Sequence, residues 1–202
     1  MFIRALAIAT AITVSTSAKA EDIKTAIFAG GCFWCVESDF ESVDGVIEAV
    51  SGYTGGSTAD PTYKQVSKGG TGHFEAVKIT YDDSKVSYDQ LLQIFWRTVD
   101  PTDDGGQFCD RGFNYSTAVY AVDGDQLSAA QVSKKQTAIE LNQPIATEIA
   151  MASFWTDAEG YHQNYYKKNP IRYKYYRYRC GRDQRVKALW GDQAYTGVNY
   201  GS

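Results

Sequence analysis

Two kinds of hydrophobic pattern follow one another along this chain. Short apolar or alternating runs predict β-strands, and segments whose apolar residues recur every three or four positions predict helices. The strands predicted in this way are residues 22–29, 46–50, 73–81, 115–122 and 145–154. The predicted helices are residues 32–43, 87–99, 125–141, 158–168 and 182–190. Up to residue 122 the order is βαββαβ, the split arrangement of ferredoxin-like α+β domains.

Polar and glycine-rich stretches separate these elements. The longest runs from Ser51 to Gly72, and we expect a functional loop there, because long loops without secondary structure are uncommon in compact domains. Its glycines do not match a phosphate-binding pattern, since no Gly-Lys-Ser/Thr sequence follows them. From Asn169 onward the chain is predicted to be irregular or weakly helical. The sequence therefore predicts a ferredoxin-like-derived, two-layer α+β domain with a mixed β-sheet and a loop-rich C-terminal tail.

The first twenty residues differ from the rest. Arg4 precedes an apolar run over residues 5–14, and residues 17–20 (Ser-Ala-Lys-Ala) form a small-x-small cleavage pattern. Because a membrane span needs roughly 20 apolar residues, we predict a secretory signal peptide over residues 1–20, with an uncleaved anchor as the alternative. Residues 21–202 would then form one catalytic domain. This organisation predicts a secreted or periplasmic protein, of bacterial origin, without stable membrane association.

Charge narrows the range of partners. Without Arg4 and Lys19, the 20 Lys and Arg residues fall to 18 against 24 Asp and Glu, a net charge of −6. Such a domain has no general attraction to nucleic acid or anionic membranes. Residues 165–179 interleave tyrosines with lysines and arginines, a pattern that can bind single-stranded nucleic acid, but we interpret them as a surface segment whose tyrosines pack on the domain.

The position of Cys32 in the sequence predicts a reactive thiol. Cys32 follows a predicted strand and two glycines and opens a predicted helix, whose partial positive charge favours a thiolate. With Cys35 it forms Cys-x-x-Cys, as in thioredoxin-like redox motifs, but no cis-proline signature follows. Cys109 and Cys180 each lack a neighbouring ligand at metal spacing, which argues against zinc. We therefore predict a reactive cysteine that needs no metal or cofactor.

Four sequence segments resemble the A class of peptide methionine sulfoxide reductases. They are residues 30–34 (GGCFW), 72–77 (GHFEAV), 110–120 (DRGFNYSTAVY) and 159–163 (EGYHQ). The resemblance extends from about residue 25 to residue 169. It implies reduction of methionine-S-sulfoxide, free or in proteins, as a repair of oxidised proteins. It also implies a mixed-sheet α+β fold with the cysteine at the N-terminus of the first helix.

The resemblance implies a nucleophile and an acid. Cys32 would attack the sulfoxide sulfur and become a sulfenic acid. Glu75 would donate a proton to the sulfoxide oxygen, a role that requires a carboxyl pKa raised by a partly apolar site. His162 has no required proton in this mechanism and is predicted to be structural.

The resemblance also implies the residues of the surrounding pocket. The hydroxyls of Tyr63 and Tyr115 would hydrogen-bond the sulfoxide oxygen, and Asp110 would help to orient the pocket. Phe33 and Trp34 would form an apolar wall for the methyl group of the substrate, where only one epimer fits.

A second thiol must resolve the sulfenic acid. Cys180 is preferred because a flexible tail could reach the pocket, Cys35 is the alternative one helical turn from Cys32, and Cys109 beside Asp110 is a third choice. A thioredoxin-like donor would then reduce the disulfide. Many family members have Gly or Ala in place of Cys35 and carry recycling cysteines in a glycine-rich C-terminal tail. The tail of this chain instead has a single cysteine, Cys180, before Gly181-Arg182-Asp183. The protein is expected to be a monomer.

Two other functions remain open on the sequence alone. A thiol-disulfide oxidoreductase would use Cys32 and Cys35 together and would not depend on Glu75. A secreted binding module would use its cysteines for structural disulfides and would have no free thiols.

Overall fold

A mixed β-sheet organises residues 22–200, the part of the chain that the computed structural model describes. The strands are β1 (Ile23–Gly30), β2 (Val46–Thr54), β3 (Phe74–Asp82), β4 (Gly106–Gln107), β5 (Asp110–Arg111), β6 (Thr117–Ala121), β7 (Glu148–Met151) and β8 (Trp155–Asp157). Six of them form one sheet in the order β7-β6-β1-β3-β2-β8, and β4 and β5 form a separate hairpin. Among the strands within residues 22–200, only β6 and β7 pair in parallel. The predicted mixed-sheet α+β class is confirmed, and the predicted signal peptide lies outside the described residues.

The described part of the chain has seven α-helices, which pack around this sheet. They are α1 (Phe33–Phe40), α2 (Tyr63–Lys68), α3 (Tyr88–Trp96), α4 (Gly124–Leu141), α5 (Tyr165–Lys168), α6 (Pro170–Cys180) and α7 (Arg182–Trp190), with short 3-10 turns at Phe113–Tyr115 and Gly191–Gln193. Across residues 22–200, no helix combines the length and apolar character required to cross a membrane.

The main core lies between one face of the sheet and helices α1 and α3. The ring of Phe28, on β1, stacks on Phe40 of α1 at 5.2 Å and on Phe95 of α3 at 5.0 Å. Because side chains alternate along a strand, the neighbouring Ile27 and Ala29 belong to a smaller cluster with Phe74 and Tyr120 instead. The strand β1 is thus buried on both faces, which explains why its sequence is a continuous apolar run.

Helix α3 starts where its capping residues predict. The Ser87 hydroxyl accepts a hydrogen bond from the Gln90 N–H at 3.3 Å, and the Gln90 side chain accepts one from the Ser87 N–H at 2.8 Å. This reciprocal pair satisfies two backbone donors that the first turn of a helix leaves free. The helix ends at Trp96, a few residues before Pro101.

The predicted loop-rich C-terminal tail is wrong. Residues 170–190 form two helices, α6 and α7, joined at Gly181 with a φ of +74°. Buried arginines attach them to the domain: Arg177 pairs with Asp39 at 2.6 Å, and Arg182 donates to the Gly30 carbonyl at 3.1 Å. Helix α7 matches the predicted helix 182–190. Helix α6 was not predicted, because it buries Tyr173 and Arg177 and has no apolar stripe.

Three other segments also differ from their predicted elements. Residues 51–54 extend β2, and α2 lies within the predicted glycine-rich loop. The predicted helix 158–168 is mostly turns, with only α5 helical, and the predicted strand 145–154 is reduced to β7. In each of these segments the local pattern was weak, and pairing with a neighbouring strand or packing decided the conformation.

Candidate functional site

Cys32 lies at the junction between a strand and a helix, as the sequence predicts. Gly30 ends β1, and α1 begins at Phe33. Gly31 between them has a φ of +82°, and a Cβ there would approach the Gln107 side chain to 2.6 Å, so the turn requires glycine. The Cys32 carbonyl accepts hydrogen bonds from the N–H groups of Cys35 and Val36 at 3.1 and 3.4 Å. Cys32 therefore caps the helix with its thiol at the positive end.

A small cavity of about 60 Å³ opens beside Cys32. It is lined by Cys32, Phe33, Trp34, Tyr63, Glu75, Asp110, Tyr115 and Tyr176. The first seven of these are the catalytic and substrate-binding residues predicted from the sequence, and they come from α1, α2, β3, β5 and the 3-10 turn. Tyr176, on α6, was missed because its segment was expected to be irregular. Its position one helical turn before Cys180 would have been the only signal.

Glu75 brings a protonated carboxyl group to this cavity. Its side chain is buried, with 1% exposed, and its Oε2 accepts a hydrogen bond from the Phe33 N–H at 3.1 Å. Burial raises the pKa of Glu75 to about 8, although the bond from Phe33 opposes the rise. At neutral pH the group therefore holds a proton that it can donate to a base in the cavity.

Two tyrosines, Tyr63 and Tyr115, line the same cavity as Cys32. Tyr63 and Tyr115 hydrogen-bond each other through their hydroxyls, and burial raises the pKa of both. Tyr63 is held in place because its N–H donates to Glu159 Oε1 at 2.9 Å. Neutral phenols can donate hydrogen bonds, so this pair can stabilise an oxygen atom that gains negative charge.

Cys32 and Cys35 are both free thiols, and they form a buried pair. The exposed fractions are 7% for Cys32 and 2% for Cys35, and their side chains hydrogen-bond each other. Burial, the contact with Cys35 and the nearby Glu75 carboxyl raise the pKa of Cys32 well above its usual value. The sequence-based expectation of a lowered pKa is therefore wrong for this state, because burial outweighs the helix terminus.

The pKa of Cys35 is shifted in the opposite direction. Its hydrogen bond with Cys32 and the charges of Arg182 and Arg177 lower its pKa, while burial opposes them. In this buried pair Cys35 is therefore the more acidic thiol and Cys32 the less acidic one. This asymmetry could not be inferred from the sequence, because both arginines come from the far end of the chain.

The other two cysteines form a disulfide at the rim of the cavity. Cys109 lies exposed in the hairpin between β4 and β5, and Cys180 ends α6; their Cα atoms are 4.8 Å apart. Next to the bond, the Tyr176 hydroxyl donates to Asp110 Oδ2, and burial raises the pKa of Asp110. The disulfide and the hydrogen bond from Tyr176 to Asp110 thus both join helix α6 to the β4–β5 hairpin beside the cavity.

This disulfide bears on the predicted resolving thiol and on the alternative of a purely structural disulfide framework. Cys180, the preferred partner of Cys32, is bonded to Cys109 here, and two free thiols remain, unlike in a purely structural disulfide framework. The sulfurs of Cys109 and Cys180 and the Asp110 carboxylate lie within 4.8 Å of one another. Two sulfurs joined in a disulfide offer no thiolate, so in this state these residues do not make a metal site.

Trp34 forms one wall of the cavity and is held on three sides. Its ring stacks on Tyr165 at 3.7 Å, meets Tyr176 edge-on at 5.7 Å, and its indole N–H donates to His162 Nδ1 at 3.0 Å. His162 is buried against Phe33 at 4.9 Å, and burial lowers its pKa, so it is a neutral acceptor. His162 therefore positions the two wall residues, which agrees with its predicted structural role.

Two buried acids of α1, Glu37 and Asp39, attach this helix to the rest of the domain. Glu37 accepts from the Asn164 N–H at 2.8 Å and from Ser51 Oγ at 3.0 Å, and burial raises its pKa to about 7. Asp39 accepts from Arg177 at 2.6 Å and from the Tyr200 hydroxyl at 2.6 Å. The sequence predicted no role for either acid, because the only pattern recognised in this helix was the spacing of the apolar residues.

Comparison with known sequences gives a consistent result. A family model described as "Peptide methionine sulfoxide reductase" matches residues 24–194. The chain is 51% identical over 183 residues to "Peptide methionine sulfoxide reductase MsrA 2" of Rhizobium meliloti, and the match covers 91% of each chain.

Solved structures with a similar fold include Mxr1 of Saccharomyces cerevisiae in reduced form. It has a TM-score of 0.71 and 29% identity, and the match covers 73% of this chain and 86% of the yeast chain. The yeast protein has also been solved in complex with Trx2, with a TM-score of 0.51, 19% identity and coverage of 75% and 90%. At that identity the likeness to the complex concerns the fold alone.

Proposed function

The chain belongs to the peptide methionine sulfoxide reductase family, and we propose that Cys32 is its nucleophile and Glu75 its proton donor. The protein is an enzyme that reduces methionine sulfoxide to methionine, and its expected substrate is the S epimer, free or in oxidised proteins. The observation that supports the residue assignment best is the hydrogen bond from the Phe33 N–H to Glu75, which holds a buried, protonated carboxyl beside Cys32.

In the first step the Cys32 sulfur attacks the sulfoxide sulfur. Glu75 gives its proton to the sulfoxide oxygen, and the hydroxyls of Tyr63 and Tyr115 donate hydrogen bonds to that oxygen as charge develops on it. The bond between the two sulfur atoms then breaks as the hydroxyl passes from the substrate sulfur to the Cys32 sulfur, so that methionine leaves, reduced by two electrons, and Cys32 is oxidised to a sulfenic acid. The thiol proton released by Cys32 restores the proton of Glu75, so that protons balance over the step.

The walls of the cavity select the substrate. Phe33 and Trp34 present apolar surface to the methyl group, and Asp110 and Tyr176 also line the cavity. Because the oxygen must face Glu75 and the tyrosines while the methyl group faces the apolar wall, only one configuration at sulfur fits. The small volume of the cavity, about 60 Å³, supports a site for the end of one side chain.

We propose that Cys180 resolves the sulfenic acid and that Cys109 then displaces Cys32 from the disulfide with Cys180. The Cys180 thiol attacks the Cys32 sulfur, water leaves, and a Cys32–Cys180 disulfide forms. Cys109 next attacks the Cys180 sulfur, which releases Cys32 as a thiol and leaves the Cys109–Cys180 disulfide observed here. Tyr176, which lines the cavity, lies 4.0 Å from the Cys180 sulfur and supports access of Cys180 to the site. Cys35 remains the alternative resolving thiol.

A dithiol reductant closes the cycle. The Cys109 side of the disulfide is exposed, whereas Cys32 and Cys35 are buried, so a protein reductant could reach only the former. The yeast relative has been solved with Trx2, and we infer that a thioredoxin-like protein reduces this chain as well. The same burial makes a general thiol-disulfide oxidoreductase that uses Cys32 and Cys35 a weaker hypothesis.

We further propose that the protein is exported and that its domain has a split β-α-β core. A basic residue, an apolar run and a small-x-small site over residues 1–20 support a cleaved signal peptide and a secreted or periplasmic location. The neighbouring order β6-β1-β3-β2, with α1 and α3 in the connections, supports a ferredoxin-like βαββαβ core. A monomeric state remains a proposal.

Epimer-resolved reduction of methionine sulfoxide with dithiothreitol tests the main assignment. The wild-type protein should consume the S epimer, and Cys32→Ser should consume neither epimer. A wild-type protein inactive toward both epimers, or a fully active Cys32→Ser, would overturn the proposal.

A further inference from the structure

A second cleft adjoins the catalytic cavity, and neither the reaction nor the recycling of Cys32 uses it. One wall is the glycine-rich loop over residues 67–73, and the other is the segment 111–114 that follows β5. We call it the glycine cleft. Its volume is about 170 Å³, larger than that of the cavity at Cys32.

Three segments run from the catalytic cavity directly into the glycine cleft. Helix α2 has Tyr63 in the cavity and Ser67 in the cleft, and these residues share a face because they are four positions apart. At β3, Glu75 lies in the cavity and His73 in the cleft. The third segment has Asp110 and Tyr115 in the cavity and residues 111–114 in the cleft. A polypeptide whose sulfoxide occupies the cavity would therefore extend over the cleft.

The lining of the cleft favours a hydrogen-bond acceptor. Among the residues that line it there is no carboxylate, and there are two cations, Lys68 and Arg111. Arg111 is paired with Asp103 at 2.6 Å, whereas Lys68 forms no ion pair or side-chain hydrogen bond within residues 22–200. Asn114 is 95% buried, and its Nδ2 donor has no hydrogen-bond partner among the described residues. An unsatisfied buried donor costs free energy unless a ligand or water accepts its hydrogen bond.

The backbone of the glycine loop faces open space. Gly69 and Gly70 have φ values of +80° and +86°, and a Cβ built on either would meet no atom within 4 Å. Glycine is required there by the backbone conformation and not by crowding. The exposed ring of Phe113, packed on Phe74 at 4.4 Å, provides an apolar surface on the other wall. The cleft thus combines an open loop, a cation, an amide donor and an aromatic ring.

We propose that the glycine cleft binds the polypeptide next to the methionine sulfoxide of a protein substrate and prefers an Asp or Glu side chain there. Lys68 would attract the carboxylate, and the Asn114 amide would donate to the acceptor that enters the cleft. This inference rests on the proposed function, and it makes the cleft a determinant of which oxidised methionines are repaired. Free methionine sulfoxide has no neighbouring residue and would not use the cleft.

The test compares two peptides that differ only at the residues flanking one methionine-S-sulfoxide, which are Asp in one and Lys in the other. Wild-type enzyme should show a lower KM for the Asp peptide with a similar kcat. Lys68→Glu should remove that preference, with a loss of about fivefold in kcat/KM for the Asp peptide, the scale expected for exposed ion pairs. Free methionine-S-sulfoxide should be reduced at an unchanged rate.

Lys64→Glu is the matched control, since Lys64 is an exposed residue of the same helix outside the cleft lining and the substitution changes net charge equally. Equal effects of the two substitutions, or no difference between the peptides in the wild type, would overturn the proposal. Asn114→Asp, of similar size, should also weaken the Asp peptide selectively. Failure of the proposed function has a different signature, namely no reduction of free methionine-S-sulfoxide by any variant.

Discussion

The Phe33 N–H donates a hydrogen bond to Glu75 Oε2 at 3.1 Å, and this bond links the first residue of helix α1 to β3, one of the two central strands of the sheet. It holds the carboxyl group beside Cys32, the residue that precedes Phe33. Burial and the hydrogen bond act on the pKa of Glu75 in opposite directions, and burial prevails, with a pKa of about 8. The position and the protonation of the acid are thus set by the same environment.

Replacing Glu75 by Gln should remove the proton donor while keeping the acceptor for Phe33. Proton transfer by a positioned group contributes about 10²–10⁴-fold, so the single-turnover rate of methionine formation should fall by that factor. Because a pKa of about 8 means that Glu75 is protonated below that pH, the wild-type rate should decline as pH rises through about 8. Rapid-quench measurement between pH 6 and pH 10 checks both points. A Glu75→Gln variant with the wild-type rate would contradict the assignment.

Single Ser variants of Cys109 and Cys180 should separate the two stages of recycling. Without reductant, Cys180→Ser should release about one equivalent of methionine per enzyme. With thioredoxin as the reductant, this variant should not turn over further. Cys109→Ser should accumulate a Cys32–Cys180 disulfide, detectable by peptide mapping with mass spectrometry. Dithiothreitol, as a small reductant, should restore turnover in both. Normal turnover of Cys180→Ser with thioredoxin would instead favour Cys35 as the resolving thiol.

Replacing Cys35 should make Cys32 more acidic. Cys35 raises the pKa of Cys32 through their hydrogen bond and through its own negative charge, so that Cys35→Ser or Cys35→Ala leaves burial as the main cause of the rise. The pH at which Cys32 becomes reactive should therefore move downward. Iodoacetamide alkylation of Cys32, followed by mass spectrometry from pH 6 to pH 11, measures this change. An unchanged or higher midpoint in both variants would contradict the described thiol pair.

Breaking the ion pair between Arg177 and Asp39 should destabilise the domain. The Arg177 side chain is 9% exposed and the Asp39 side chain is fully buried, with 2.6 Å between their charged atoms. Removing one partner of a buried pair leaves a buried charge, which costs about 3–5 kcal/mol. Arg177→Met should lower the free energy of unfolding in urea by about that amount.

Arg179 supplies the control for this measurement, because it is exposed on the same helix. Arg179→Met should change the free energy of unfolding by less than about 0.5 kcal/mol, as surface substitutions generally do. If the two variants were equally stable, the ion pair would not anchor α6 to the domain.

Several features follow from local sequence. An apolar run, two glycines and a three-and-four apolar spacing specify a strand, a tight turn and a helix, and they place Cys32 at the helix start because backbone preferences act over a few residues. The Ser87–Gln90 pair specifies the start of α3 for the same reason. The sequence resemblance brought Glu75, Tyr63, Tyr115 and Asp110 to attention, although local patterns alone did not distinguish them from other acids and tyrosines.

Tertiary structure decided the rest. The pairing of Cys109 with Cys180, 71 residues apart, depends on how α6 packs against the β4–β5 hairpin, and local preferences carry no information about it. Tyr176 lines the cavity from α6, a helix that the buried ion pair of Arg177 with Asp39 attaches to the domain. The protonation of Cys32 also depends on the fold: the helix start favours a thiolate, but burial beside Cys35 and Glu75 opposes it and prevails. A pKa is set by every charge and solvent boundary within several ångströms, and most of these neighbours are distant in the sequence.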